Sequence, residues 1–260
     1  MTKGAKLRLG IQSVEVATKL IRALVKAGRP VPLKELAALA GMPAGKVHRY
    51  LVSLVRVELF AQDTISGHYG FGPLSITMGL SAMRGIDVIH AASEPLIELR
   101  DEIDETVMLI IWTKQGPMIY RFEESSRPVF MNVRIGSTLP LLNTAAGRIF
   151  LAYQPRKLVW PLVRSELEAP APSVMHLTES SISELIEETK HHGLASVSGD
   201  LLPGISALAA PVFDYRLRIV AVIGALGRSE ELNIEFDAPT AKSIRRVANE
   251  ISRRLGHEPE

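Results

Sequence analysis

Residues 33–54 read LKELAALAGMPAGKVHRYLVSL, two short helical patterns on either side of a glycine turn. Leu33, Leu36, Ala37 and Ala40 put small or apolar side chains at the spacing of one buried helix face. Gly41 supplies the turn, because a residue without a Cβ enters left-handed backbone at little cost. Pro43 stands where a second helix begins, its missing N–H harmless and its φ already helical. In that helix Val47, Tyr50, Leu51 and Leu54 recur at helical spacing and face inward, leaving Lys46, His48, Arg49 and Ser53 on the outer face. A glycine turn between two such helices is the pattern of a helix-turn-helix, whose second helix enters the DNA major groove.

The segments on both sides sharpen that reading. Ahead of it, Val14, Val16, Ala17, Leu20, Ile21, Leu24 and Val25 form a first helix, with Ser13 as an expected N-cap and Gly28 and Pro30 as the stop. Behind it, FAQDTISGHYGFG, residues 60–72, alternates short extended pieces around a Ser-Gly turn, as a small β-hairpin does. Helix, turn, helix, hairpin is the order of a winged DNA-binding domain.

Charge agrees with that assignment. The 260 residues carry a net charge of +2, but residues 1–80 hold 11 Lys and Arg against 4 Asp and Glu, a balance of +7. Residues 81–260 hold 19 against 24, a balance of −5. A polyanion partner for the first part accounts for the split, since Lys and Arg bind DNA largely by neutralising phosphate. Lys3, Lys6 and Arg8 add a loose basic arm. The absence of cysteine excludes disulfides, thiolate metal sites and a Cys nucleophile. No apolar run approaches the ~18 residues of a membrane span and no leader pattern is present, so a cytoplasmic location is expected.

After the hairpin, residues 74–99 are long, apolar and helix-compatible, interrupted by Gly79, Gly85 and Pro95, and a break or kink is expected at the proline. They read as a linker helix, residues 74–84, and then the first helix of a second domain, residues 85–260, with residues 1–73 as the winged domain. In the second domain Val107–Thr113, Met118–Glu123 and Val129–Arg134 read as antiparallel strands. Helices follow at Leu142–Tyr153, capped by Asn143 or Thr144, and at Pro155–Val163. A capping box is expected at Ser181 with Glu184, and Gly193 ends the helix it starts. Ile205–Asp214 and Arg218–Leu226 read as strands, and Ala238–Leu255 as a closing amphipathic helix bearing Arg245, Arg246, Arg253 and Arg254. One sheet with helices on its faces makes an α+β, sensor-like domain similar to the GAF and PAS folds.

Signatures of catalysis are missing: there is no phosphate-binding glycine loop, no H-E-x-x-H and no G-x-S-x-G. His191 and His192 are adjacent on a helix, so their side chains diverge by about 100° and make a poor metal pair. Ser198-Gly199-Asp200 reads as a turn, and Asp101, Glu102, Asp104 and Glu105 as a solvated helix end. No enzyme, metal or cofactor is therefore expected. Ala145, Ala146 and Gly147 keep the first turn of a helix bare, so that a carboxylate could approach its free N–H groups; close helix–sheet packing explains the same residues.

The opening IQSVEVATKLIRAL, the pair ELAALAGMPAGKVHRYLVSL, the hairpin end GHYGFG, GSTLPLLNTAAGRIFLA and GISALAAPVFDYRLRIVAVIGALG together resemble successive landmarks of the isocitrate lyase regulator (IclR) family of bacterial transcription factors. The resemblance runs from about Gly10 to about Leu255. It implies a regulator that binds double-stranded operator DNA, pairs into a homodimer or homotetramer through its first helix and its second domain, and answers to a small organic acid. Gln12, Ser13, Lys34, Ala44, Gly45, Lys46, His48, Arg49, Tyr50, His68 and Tyr69 fall at its DNA-contacting positions. Leu139, Ala145, Ala146, Val197, Ala207, Gly224 and Leu226 fall at its effector positions.

This sequence also departs from the family pattern. Members that bind small keto acids carry acidic and hydroxyl side chains where Val197, Ala207, Gly224 and Leu226 stand, so an aromatic or other hydrophobic acid is expected here rather than glyoxylate. Ala44-Gly45-Lys46 replaces the usual Lys-Ser-Thr of the recognition helix, and Gly70 an Arg of the wing, so base preference should differ. The rival expectation is a DNA-binding protein whose second domain only oligomerises and binds no effector.

Overall fold

The computed structural model describes residues 10–84, 87–126 and 134–258. The chain divides into two compact units, residues 1–86 and 87–260.

In the first unit α1 (Gln12–Ala27), α2 (Leu33–Ala40) and α3 (Ala44–Arg56) precede a two-stranded antiparallel hairpin of β1 (Phe60–Gln62) and β2 (Tyr69–Phe71). Gly28 and Gly41 end α1 and α2 in left-handed backbone at φ 63° and 61°. Leu20, Leu24, Leu36, Val47, Leu51 and Phe60 form the shared core, against which Tyr50 packs half-buried. The sequence expectation for Ser13 fails: Ile11 is the N-cap of α1, with no side-chain bond, and Ser13 lies exposed within the first turn. The arm at Lys3, Lys6 and Arg8 lies outside the described residues. A helix, α4 (Pro73–Arg84), follows the hairpin.

The second unit is built on a five-stranded antiparallel sheet in the order β4-β3-β7-β6-β5. Its strands are β3 (Thr106–Thr113), β4 (Gly116–Glu123), β5 (Ala195–Ser198), β6 (Ile205–Phe213) and β7 (Ile219–Arg228). Side chains alternate between its faces. One face meets α5 (Val88–Ile103) and α9 (Pro239–Arg254). On the other, Met108, Ile110, Ala209 and Val222 pack with Ala145, Ile149 and Phe150 of α6 (Ala145–Tyr153). Behind α6 stand α7 (Arg156–Glu168) and α8 (Glu179–His192).

Of the break or kink expected at Pro95, the break does not occur, and α5 runs on through it. A proline removes the N–H that would bond the carbonyl four residues back. Here that carbonyl, on Ala91, accepts from Arg254 Nη1 at 3.3 Å, so a residue of α9 takes the vacated place. The capping box also moves: Thr178 and Ser181 exchange side-chain and backbone bonds, and α8 begins at Glu179 rather than after Ser181. Residues 129–133 of the expected third strand lie outside the described residues, while Arg134 is not in a strand. The neighbouring segment instead lines the β4 edge, where Gly136 N donates to Ile119 O at 2.8 Å and Leu139 N to Pro117 O at 2.8 Å. In the β6–β7 turn, burial raises the Asp214 pKa. Hydrogen bonds from the Arg218 side chain and the N–H groups of Arg218 and Arg216 outweigh it, and the carboxyl stays below its ordinary value.

Candidate functional site

Two surfaces gather the residues expected to function, one in each unit.

In the first unit α3 presents its cationic side to solvent. Val47, Leu51 and Leu54 turn inward, so the 3.6-residue period leaves Lys46, His48 and Arg49 exposed, with Ala44 and Gly45 at the helix start. Gln12, Ser13 and Lys34 are exposed as well, and His68 is half-buried. Tyr69 differs, because its ring is buried with the core and its backbone pairs with Val31. It anchors the hairpin instead of facing a groove. The hairpin tip is fixed by Asp63, whose Oδ1 accepts from Ser66 N at 2.7 Å, Ser66 Oγ at 2.7 Å and Ile65 N at 3.2 Å. The bonds from Ser66 lead in holding that carboxyl below its usual range.

In the second unit the sheet and α6 enclose a cavity of about 60 Å³. One water requires roughly 10–15 Å³ by the same kind of measure, so the space is several waters large. Leu139, Ala145, Ala146, Val197, Ala207, Gly224 and Leu226 all line it, although they come from four separate stretches of sequence. Met108 and Ile119 complete the sheet side, and Leu201, Leu202 and Ile205 close one end. The sequence reading missed these five. Met108 was the most accessible of them, since it lies opposite Gly224 in the β3–β7 register.

The polar features of this cavity are few. Among the described residues Thr144 is the one lining residue with a polar side chain, and its hydroxyl is already used, donating to Pro140 O at 2.6 Å and accepting from Gly147 N at 2.9 Å. Ala145 and Ala146 open α6, where the first N–H groups of a helix lack intrahelical partners. Among the described residues neither N–H is hydrogen-bonded. Gly147 is required by the close approach behind them, since a Cβ there would lie 2.1 Å from Pro140 O.

The bare helix start is buttressed from both sides. Glu166 of α7 accepts from Leu141 N at 2.6 Å and Leu142 N at 3.0 Å. These bonds hold residues 141–142 in a bend outside the helix, and α6 begins at Ala145, not at Leu142 as the sequence suggested. Arg148 donates to Leu142 O at 3.0 Å, Ser196 O at 2.8 Å and Asp200 Oδ2 at 2.5 Å. Sequence patterning could find neither buttress, because the contacts span 25 and 52 residues.

His191 and His192 pack edge to face, and His192 stacks on Phe236 at 4.2 Å. Among the described residues no group of three or more His, Cys, Asp or Glu is placed to hold a metal ion, and no helix is long and apolar enough to cross a membrane.

Comparison with known proteins gives a consistent picture. Residues 13–64 match the IclR helix-turn-helix domain, and residues 80–253 match the bacterial transcriptional regulator IclR C-terminal domain. The glycerol operon regulatory protein of Streptomyces coelicolor is 29% identical over 258 residues, covering 95% of this chain and 97% of its own. The structure of Pseudomonas aeruginosa HmgR is similar at 35% identity and a TM-score of 0.88, covering 96% of this chain and all of that one. The Agobacterium tumefaciens repressor BlcR, at 22% identity, shares the fold with a TM-score of 0.80 over 96% of this chain and 99% of its own.

Proposed function

The chain belongs to the IclR family of DNA-binding bacterial transcriptional regulators, and we propose that it is a cytoplasmic, non-enzymatic member whose operator binding is controlled by an aromatic or other hydrophobic organic acid. The single observation that carries the effector reading is the cavity at the start of α6, which all seven expected effector positions line. Its apolar walls contribute about 25 cal/mol for each Å² of apolar ligand surface removed from water. The N–H groups of Ala145 and Ala146 supply donors and the positive end of the helix for one carboxylate. A small polar acid such as glyoxylate gains little from such walls. The same holds for a polyol, so the glycerol operon of the Streptomyces relative is not carried over.

A cavity at this place that side chains leave unfilled argues against a second unit that only oligomerises. On the DNA side, Lys46, His48 and Arg49 are the readers, with Gln12, Ser13, Lys34, Ala44, Gly45, Tyr50 and His68 beside them. Exposed apolar side chains at the start of and along α1 (Ile11, Val14, Val25) and on α4 (Ile76, Met78, Leu80) support pairing of first units in a homodimer. A homotetramer follows if second units pair also. Calorimetry against a panel of organic acids tests the effector class: binding of aromatic acids is expected, and tight binding of glyoxylate with none of the aromatic acids bound would reject it.

A further inference from the structure

Residues 199–204 join β5 to β6 and form the end wall of the cavity. We propose that this hairpin is a lid, held shut by the Arg148–Asp200 ion pair, that sets access to the cavity. The inference rests on the effector reading and adds how an effector enters.

Leu201 and Leu202 line the cavity, and Leu201 is 38% exposed, so this segment stands at the rim between the cavity and solvent. Glycines bound the segment. Gly199 and Gly204 hold φ of 75° and 77°, and a Cβ on either would meet nothing within 4 Å. The ends of the hairpin are thus unpacked and sit in backbone that glycine enters and leaves cheaply, as a hinge requires. Backbone bonds secure its root, from Gly199 N to Ile205 O at 2.9 Å and from Ser229 N to Gly204 O at 2.9 Å.

Between these hinges, Asp200 ties the segment to the α6 side. Its partner Arg148 is immobilised independently, since Nε and Nη1 bond the carbonyls of Leu142 and Ser196. The guanidinium is therefore a fixed post and Asp200 the member on the hinged segment. Arg148 and Asp200 side chains are only 17% and 25% exposed, so water screens the pair weakly. A charge-assisted bond of this kind shifts a closed-to-open ratio by roughly ten- to a hundredfold. Arg148 also touches the carbonyl of Leu142, next to the helix start proposed to receive the carboxylate, so the latch and the anion site share one strut.

The chain has no cysteine, so Ala146→Cys places a single thiol in the cavity wall. Its rate of reaction with methyl methanethiosulfonate reports opening without any effector. Adding Asp200→Ala should raise that rate about tenfold or more, and Asp200→Asn, which keeps a neutral hydrogen bond, should fall between. Ala210→Cys, buried in β6 and outside the cavity, serves as the control and should react at the same rate with or without Asp200. An unchanged rate at position 146 would overturn the lid, as would an equal rise at both positions. Because no effector enters the assay, the lid can fail while calorimetry still upholds the effector reading, and the reverse.

Discussion

The Glu166 carboxylate accepts the backbone N–H of Leu141 at 2.6 Å, and through it α7 fixes the strut on which the cavity mouth is built. Burial raises the pKa of Glu166 above the ordinary carboxylate value, and the bonds from Leu141 and Leu142 only partly offset this. A folded pKa raised above the unfolded one means that the ionised form costs stability. The contribution of Glu166 is thus greatest below the unfolded pKa and declines as pH rises through the raised folded value. Glu166→Gln should therefore gain on the parent protein as pH rises above the unfolded carboxylate value of about 4.3. Urea unfolding at a series of pH values checks the sign, and a variant that loses stability relative to the parent as pH rises would contradict it.

Gly147→Ala should destabilise the second unit by about 1–3 kcal/mol or more, because the added Cβ meets the Pro140 carbonyl and the Leu141 Cα, both of them backbone. Thermal melting reads the loss. Gly193→Ala serves as a contrast: nothing lies within 4 Å of a Cβ there, so any loss comes only from its φ of 60°.

Lys46→Ala and Arg49→Ala should each weaken operator binding by about 1–3 kcal/mol where base edges are read, or lower the salt slope by about one where phosphate is contacted. Both residues are exposed, and the fold rests on Val47 and Leu51, so the melting temperature should hold. A folded double variant with unchanged affinity and unchanged slope would remove α3 from the groove.

Ile76→Glu with Leu80→Glu places two charges one turn apart on exposed apolar positions of α4. If these positions pair between copies, light scattering should show the assembly shifted toward monomer and operator binding weakened with it. A parent protein already monomeric at micromolar concentration, with and without DNA, would contradict pairing altogether.

Much of this architecture was legible in the sequence, because local patterns carry it. The glycine turn at Gly41, the apolar period of α3 and the hairpin around Gly67 each depend on residues within one turn of each other. What escaped depends on distant partners. Pro95 predicts a break or a kink, and that the helix is not broken becomes intelligible only once Arg254 is placed beside Ala91, 163 residues away. Ser181 looks like an N-cap until Thr178 takes that role three residues earlier. Ala145 and Ala146 could be read as a bare helix start, while the other cavity positions were reached by likeness to the family. Met108, Ile119 and the hairpin residues, for which no landmark stood, became visible only in the sheet register. Tyr69 had the right motif and the wrong direction, since burial in the core outweighs its place on the wing.

In the proposed function, a ligand in the cavity beside Ala146 governs operator binding. It acts only if the ligand favours one of two conformations over the other. Ala146→Leu fills the cavity with three further carbons and leaves α3 untouched. The most direct measurement titrates operator binding with an aromatic acid found by calorimetry, for the parent protein and for Ala146→Leu side by side. The parent should respond, and the variant should bind the operator equally well yet ignore the ligand; a normal ligand response from Ala146→Leu would contradict control through this cavity.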